Sequence, residues 1–292
     1  MPTLESRIEI LSRLRSALGG GSRPSELSHR RYDETHELFE QSSNQQQLIL
    51  EWLKNFIAQS RRSADPLKIL SVGCGSGILD NPLIRSIADT PQQVEYTGVD
   101  PNAVACRRFQ EDFNSQGLPN VKLKLWEHDV ESLTSQDPFD LIHVVHSLYY
   151  FEDPASTLSA LSELLAPGGK VAIILAPEAE LNELAMCFWK HHDENKIWFS
   201  DFLADHLSER QLTFSKQRID GEVDIARCFE ADCPLGEMML DFITQSNCHE
   251  LGDDIVQLSL DYLRSISRSE EARLLVQHPV DAFVIQRPAT DE

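Results

Sequence analysis

The feature that most constrains the fold is an alternation of short apolar runs with helical patterns through the middle of the chain. Most of these runs are separated by segments whose apolar residues have helical spacing, for instance 102–113 and 155–165. Strands that are almost continuously apolar are typical of a parallel sheet buried on both faces. The sequence therefore predicts an α/β protein with a doubly wound sheet, whose strands are 67–72, 94–99, 121–125, 141–145 and 170–175.

A glycine-rich turn follows the first predicted strand and reads Gly73-Cys74-Gly75-Ser76-Gly77, after which the chain has the pattern of a helix start. Glycines permit a tight turn and let a ligand approach bare backbone. Nicotinamide enzymes use such a turn too, but their fingerprint needs a third glycine where this chain has Ile78.

Acidic residues follow the next two strands. Asp100, in the run Asp100-Pro101-Asn102, ends the second strand, where a carboxylate can accept hydrogen bonds from both hydroxyls of a ribose. Asp129 is expected to end the third strand, where a carboxylate could meet an adenine amino group. Further on, Phe139-Asp140 precedes the fourth strand, and a predicted helix ends on Pro167-Gly168-Gly169 before the fifth. As an ordered set, these motifs resemble those of class I methyltransferases dependent on S-adenosylmethionine.

The resemblance to this family covers about 66–177 and implies a seven-stranded, Rossmann-like methyltransferase sheet with S-adenosyl-L-methionine as the cofactor. Carried over by position, it implies cofactor contacts from Gly73, Gly75, Gly77, Asp100, Pro101, Asn102, Asp129, Val130 and Val145.

A second set of motifs narrows the resemblance. The run His146-Ser147-Leu148-Tyr149-Tyr150 looks like the loop after the fourth strand in the histamine N-methyltransferases, and similarity continues at Phe188-Trp189-Lys190, 224–229, 241–244 and 283–285. It also reaches upstream to Tyr32 and Phe39. That family encloses its substrate in aromatic rings, which hold flat heterocycles and suit a positive charge. By position, the implied enclosure is Tyr32, Tyr149, Tyr150, Trp189 and Phe242, although each could be a core aromatic instead.

The resemblance also sets the predicted domains. Residues 1–27 are expected to form an N-terminal helical extension and residues 28–292 a single methyltransferase domain. Within that domain the cofactor core is about 60–177, a helical or mixed substrate-covering region comprises 28–59 and 178–275, and the last strand is about 280–287. Helical patterns are assigned to 1–18, 43–59 and 229–244.

Polar positions that grip the substrate in the histamine enzymes differ here. Asn44 stands for a glutamate, His146 for a glutamine and His278 for an asparagine, while His36 replaces a phenylalanine. Loss of the carboxylate removes a counter-ion for a cationic amine, and histidines can become positive near neutral pH. The predicted substrate is therefore not histamine but an imidazole, another heteroaromatic or an amino-acid-like compound, bound by His36, Asn44, His146 and His278 together with the aromatic enclosure.

The histidines allow other interpretations. His146 is our candidate catalytic residue, orienting the nucleophile or accepting its proton. We expect no metal, although His36, His146 and His278 could together bind one, since imidazole is a common ligand of transition metals. Each could also be an ordinary hydrogen-bonded residue.

Composition excludes several classes of partner. The formal net charge of −21 opposes binding to phosphate backbones and to anionic membranes. Six irregularly spaced cysteines without a C-x-x-C pair suggest reduced thiols in a cytoplasmic protein, and no apolar run is long enough to span a bilayer. We expect a monomeric enzyme that methylates a nitrogen of a small molecule. The alternatives are a small-molecule O-methyltransferase and a cofactor-binding homologue without catalysis.

Overall fold

The structure, a computed structural model, describes residues 4–20, 25–60, 66–133, 137–189 and 198–288. The helices are α1 Leu4–Gly20, α2 His29–Gln41, α3 Gln45–Ser60, α4 Asp80–Ala88, α5 Ala103–Gln116, α6 Pro154–Leu164, α7 Leu181–Trp189, α8 Ser200–Glu209, α9 Pro234–Thr244 and α10 Asp253–Ile266. The strands are β1 Leu67–Val72, β2 Val94–Val99, β3 Val121–Trp126, β4 Phe139–Val145, β5 Leu165–Leu175, β6 Phe214–Ile219, β7 Glu222–Asp224, β8 Arg268–Glu270, β9 Arg273–Gln277 and β10 Val280–Gln286.

A seven-stranded mixed sheet confirms the predicted fold class. Its strand order is β3-β2-β1-β4-β5-β10-β6. The neighbours from β3 to β5 pair in parallel, and β10 runs antiparallel to β5. Strand order reverses between β1 and β4, and ligands of open α/β sheets bind at the carboxyl ends of strands beside such a switch point. The loops after β1, β2 and β4 therefore lie at the edge of the sheet where such a ligand binds.

Two of the predicted elements have wrong boundaries. The run Pro167-Gly168-Gly169 does not end a helix but lies inside β5, which begins at Leu165. Gly168 accommodates this path with a positive φ of 71°, and the register with β4 shifts nearby. The predicted helix 229–244 begins only at Pro234, because proline is well suited to a first helical position, and Phe229 instead ends a short 3₁₀ turn.

Contacts divide the chain into two compact units. The first unit comprises Met1–Gln46, Ala176–Ile197 and Asp220–Val280, and it contains a small sheet of order β7-β9-β8. Its core includes Leu11, Leu14 and Leu18, so the segment predicted as an N-terminal extension supplies buried side chains through α1, which packs on α10.

The second unit comprises Gln47–Leu175, Trp198–Ile219 and Asp281–Glu292, and it carries the seven-stranded sheet. Its core is built from strand residues such as Leu70, Ile142 and Ile173, together with Leu203 and Leu207 of α8. Among the helices of the described segments, none combines the length and the apolar character that crossing a membrane requires.

Candidate functional site

The turn after β1 has the backbone that its glycines predict. Gly73, Gly75 and Gly77 have φ values of 72°, 53° and 74°, in the region that favours glycine. A Cβ on Gly73 would lie 2.3 Å from the Cβ of Ser147, and one on Gly77 would lie 2.3 Å from the ring of Phe109. A Cβ on Gly75 would meet nothing within 4 Å. Two glycines therefore serve close packing, while Gly75 leaves open space beside the backbone.

Asp100 fastens this turn to the loop after β2. Its Oδ2 accepts the Gly75 N–H at 2.9 Å, and its Oδ1 accepts the Asn102 N–H at 2.8 Å. Asn102 then caps α5, since its Oδ1 accepts the N–H groups of Val104 and Ala105. Each carboxylate oxygen has a second lone pair. The half-buried Asp100 can therefore accept ligand hydroxyls while it holds the turn.

The loop after β3 differs from the prediction. β3 ends at Trp126, so Asp129 does not end the strand but lies three residues beyond it, exposed, before a short 3₁₀ turn. The neighbouring Val130 is buried in the same core cluster as Val72 and Val99. Val145 is the last residue of β4 and is half-buried.

His146 follows β4 with a strained backbone. Its φ of 50° is left-handed, a conformation that costs a non-glycine residue about 1–2 kcal/mol and that clusters at functional sites. Its N–H donates to the Ile174 carbonyl at 3.0 Å, and its Nδ1 lies 3.3 Å from the Tyr149 hydroxyl. The Tyr149 ring also packs on Phe199, whereas Tyr150 is 74% exposed. The fold thus presents an imidazole and a phenol together at the carboxyl end of β4.

In the first unit, four predicted substrate-binding residues form one cluster with Phe39. Tyr32 and His36 stack with ring centroids 5.7 Å apart, and Phe242 lies against both, at 5.8 and 5.4 Å. The Phe39 ring contacts both Phe242 and His278, with ring centroids 4.6 Å and 5.0 Å away. We call these five residues the aromatic cluster. The spacing of Tyr32, His36 and Phe39 along α2 places them on one helical face.

An ion pair that the sequence analysis missed fixes α2 against α9. Arg31 Nε donates to Asp241 Oδ2 at 2.8 Å, and the Asp241 side chain is only 2% exposed. Asp241 Oδ1 also accepts the Cys248 N–H. Arg31 directly precedes Tyr32, and Asp241 directly precedes Phe242. Two opposite charges, each next to a residue of the aromatic cluster, are the signal in the sequence that could have revealed the pair.

The remaining predicted residues of this unit have mixed environments. Asn44 is exposed, and its Oδ1 accepts the Glu222 N–H at 2.7 Å, which gives this side chain a structural bond. His278 Nδ1 lies 3.2 Å from the Ser43 hydroxyl. Trp189 is the last residue of α7 and is half-buried.

Comparison with known proteins decides the family. A family model described as a methyltransferase domain matches residues 42–214. That is more than half of the chain. The chain belongs to the class I methyltransferases that use S-adenosylmethionine.

Individual relatives of this methyltransferase are distant. Histamine N-methyltransferase A of Xenopus laevis is 28% identical over 263 residues, which cover 80% of this chain and 84% of that protein. The histamine N-methyltransferase of Rattus norvegicus is 24% identical over 291 residues, covering 88% and 95%. The plantazolicin methyltransferase BpumL, solved in complex with a triazolic desmethylPZN analog and S-adenosylhomocysteine, has a TM-score of 0.51 at 14% identity, and the match covers 98% of this chain and 100% of that chain.

The turn of this methyltransferase fits the cofactor chemically. The open side of Gly75 admits a ligand to the backbone, and Asp100 offers oxygen acceptors at the same place.

Within the described segments, no group of three or more His, Cys, Asp or Glu side chains could hold a metal ion. Of the histidines considered as metal ligands, His36 and His278 belong to the first unit and His146 belongs to the second.

Proposed function

We propose that this methyltransferase transfers a methyl group to a nitrogen atom of a small molecule other than histamine, for example an imidazole, another heteroaromatic compound or an amino-acid-like compound. The observation that carries the proposal is the strained His146, linked to Tyr149 at the carboxyl end of β4. The distant histamine N-methyltransferases support the choice of nitrogen. In this proposal the cofactor is held by the turn residues Gly73, Gly75 and Gly77 with Asp100, Pro101, Asn102, Asp129, Val130 and Val145.

Bound S-adenosylmethionine supplies a methyl group that its sulfonium already activates. The protein then has to present a nitrogen whose lone pair is available, because that pair makes the new bond. His146 is proposed to orient this nitrogen or to accept its proton, and the Tyr149 hydroxyl fixes the orientation of the imidazole. Holding the nucleophile in a reactive geometry can itself contribute up to about 7–11 kcal/mol.

The aromatic cluster is proposed to bind the acceptor, together with Trp189 and Asn44 of the same unit. Rings of this kind hold a flat heterocycle by stacking. The half-buried Glu40 carboxylate lies 3.8 Å from His36 Nε2, and burial raises the pKa of Glu40. Burial thus disfavours the charged form of Glu40. The stacked rings are the feature of the cluster that favours a flat heteroaromatic acceptor.

The experiment that tests the proposal combines binding with product analysis. Calorimetry with S-adenosylhomocysteine measures cofactor binding, and a panel of imidazoles, amino acids and aromatic acids is incubated with methyl-labelled S-adenosylmethionine. Mass spectrometry of the products then distinguishes N-methylation from O-methylation. We expect a heteroaromatic or amino-acid-like N-methyl product. Histamine as the best substrate by a wide margin contradicts the acceptor class, and binding without any turnover supports a non-catalytic homologue.

Variants at His146 test its role. Alanine there would add backbone strain at a φ of 50°, so asparagine and glycine, which tolerate this conformation, are the better replacements. We expect His146→Asn and His146→Gly to lower kcat by about 100-fold, a typical loss for a missing acid–base group. Binding of S-adenosylhomocysteine should stay close to that of the wild type. Equal losses of turnover and cofactor affinity would argue that His146 only supports the fold.

A further inference from the structure

A buried polar triad lies in the second unit behind the glycine turn. Tyr96 of β2 donates its hydroxyl to Asp80 Oδ1 at 2.5 Å, and His143 Nε2 of β4 lies 2.7 Å from the same hydroxyl. Asp80 and His143 are themselves 3.6 Å apart. Asp80 is 3% exposed, Tyr96 is 0% exposed and His143 is 3% exposed. The transfer chemistry proposed above does not use them.

Strand register explains how the triad forms. Tyr96 is paired with Ile69 and His143 with Ser71, on opposite sides of β1. Ile69 and Ser71 are two residues apart, so the Tyr96 and His143 side chains leave the same face of the sheet. They meet in front of β1, directly before the strand enters the glycine turn.

The direction of the hydrogen bonds fixes the protonation of the triad. With the single Tyr96 proton directed at the Asp80 carboxylate, the His143 tautomer that completes the arrangement carries its proton on Nε2 and donates to the Tyr96 oxygen. Burial lowers the pKa of His143, in keeping with a neutral imidazole protonated at Nε2. The chain of donors therefore runs from His143 through Tyr96 to Asp80.

Asp80 connects this chain to the turn. It is the first residue of α4, and the N–H of the next residue, Asn81, donates to the Gly77 carbonyl at 2.8 Å. The N-cap residue Leu79 makes no side-chain capping bond. A leucine cannot accept a bond from the first N–H groups of the helix. The bond from Tyr96 to Asp80 holds the first helical residue, three residues after Gly77.

We propose that Asp80, Tyr96 and His143 are positioning residues that hold the start of α4, and through it the Gly73–Gly77 turn, in the conformation that binds S-adenosylmethionine. The triad does not touch the acceptor in this proposal, which therefore stands apart from the proposed substrate class.

Tyr262 offers a matched control for Tyr96. It is also fully buried, and its hydroxyl donates to the Glu183 carboxylate at 2.6 Å in the first unit. Tyr96→Phe and Tyr262→Phe thus remove the same group from the same kind of bond. We expect Tyr96→Phe to weaken S-adenosylhomocysteine binding by about tenfold, and Tyr262→Phe to change it by less than about twofold. The readouts are calorimetry on the full chain and unfolding by denaturant. Equal effects on binding would overturn the proposal.

Conservative replacements give the second arm of the test. The Asp80→Asn carbonyl can still accept the Tyr96 hydroxyl, and the His143→Gln amide can still donate to it. Both should bind S-adenosylhomocysteine more tightly than Asp80→Leu and His143→Leu, by about threefold or more. This arm remains decisive if Tyr96→Phe does not fold. Equal affinities within each pair would overturn the proposal, because a role in packing alone does not require these polar atoms.

Discussion

The glycines of the turn after β1 differ in what a side chain at each would meet. At Gly73 a methyl group would collide with Ser147, whose hydroxyl donates to the Val72 carbonyl, so this glycine is required by packing. At Gly75 the same methyl group would enter open space. The sequence motif predicted all three glycines but could not separate these roles, because the neighbours of each come from distant parts of the chain.

Alanine substitutions separate the two roles. Gly73→Ala should lower the free energy of unfolding by about 2 kcal/mol or more, because overpacking adds to left-handed strain. Gly75→Ala should cost only the strain, about 1 kcal/mol, yet weaken S-adenosylhomocysteine binding at least about tenfold. Denaturant unfolding and calorimetry measure these quantities. Wild-type affinity in Gly75→Ala would show that the cofactor does not approach this side of the turn.

Residue-scale prediction was limited wherever a role depends on a partner far along the sequence. Asp100 was recognisable because a carboxylate after a strand has a known use in this family. The left-handed backbone of His146 was not recognisable, since it accompanies a bond from its N–H to Ile174, a residue of the neighbouring strand that is far along the sequence. The structural bond of Asn44 to Glu222 was hidden for the same reason.

Among the elements, those with buried faces were predicted well. β1 and β2 begin and end where their apolar runs do. β6 was not predicted, because of its residues only Ile219 is buried and the alternation that marks a strand is missing. The three-stranded sheet was missed because β7 and β8 are three residues long each. For such short strands, pairing with neighbours decides the structure rather than local pattern.

The contact between α2 and α9 supports a prediction at this scale. Arg31→Ala leaves the buried Asp241 carboxylate without its cation and should lower the free energy of unfolding by about 2–3 kcal/mol. Arg30 is the matched control, because its pair with Glu34 is exposed, and Arg30→Ala should cost less than about 0.5 kcal/mol. Denaturant unfolding distinguishes the two. Similar losses for both variants would mean that the Asp241 pair does not hold α2 on α9.

For the molecule as a whole, the free energy of unfolding should depend on pH through several groups, and protonation of these groups has opposite effects on stability. The net charge of −21 creates repulsion that weakens as carboxylates become protonated. Burial raises the pKa of Glu40, so protonation of this group favours the folded chain as pH falls. Burial lowers the pKa values of His143 and His206, which acts in the other direction. A bulk pH profile mixes these contributions, so a single group must be isolated by a variant.

His143 provides the group to isolate. Its lowered pKa means that the unfolded chain, with a histidine pKa near 6.5, binds a proton that the folded chain does not. The stability from neutral His143 is therefore fully present above about pH 6.5 and is lost as the pH falls from there toward the folded pKa. Between about pH 7.5 and pH 5.5, the wild type should lose more unfolding free energy than His143→Gln, which cannot titrate. Parallel pH profiles for the two proteins would mean that His143 takes up its proton equally in the folded and the unfolded chain. A neutral His143 that donates to Tyr96 would then be contradicted.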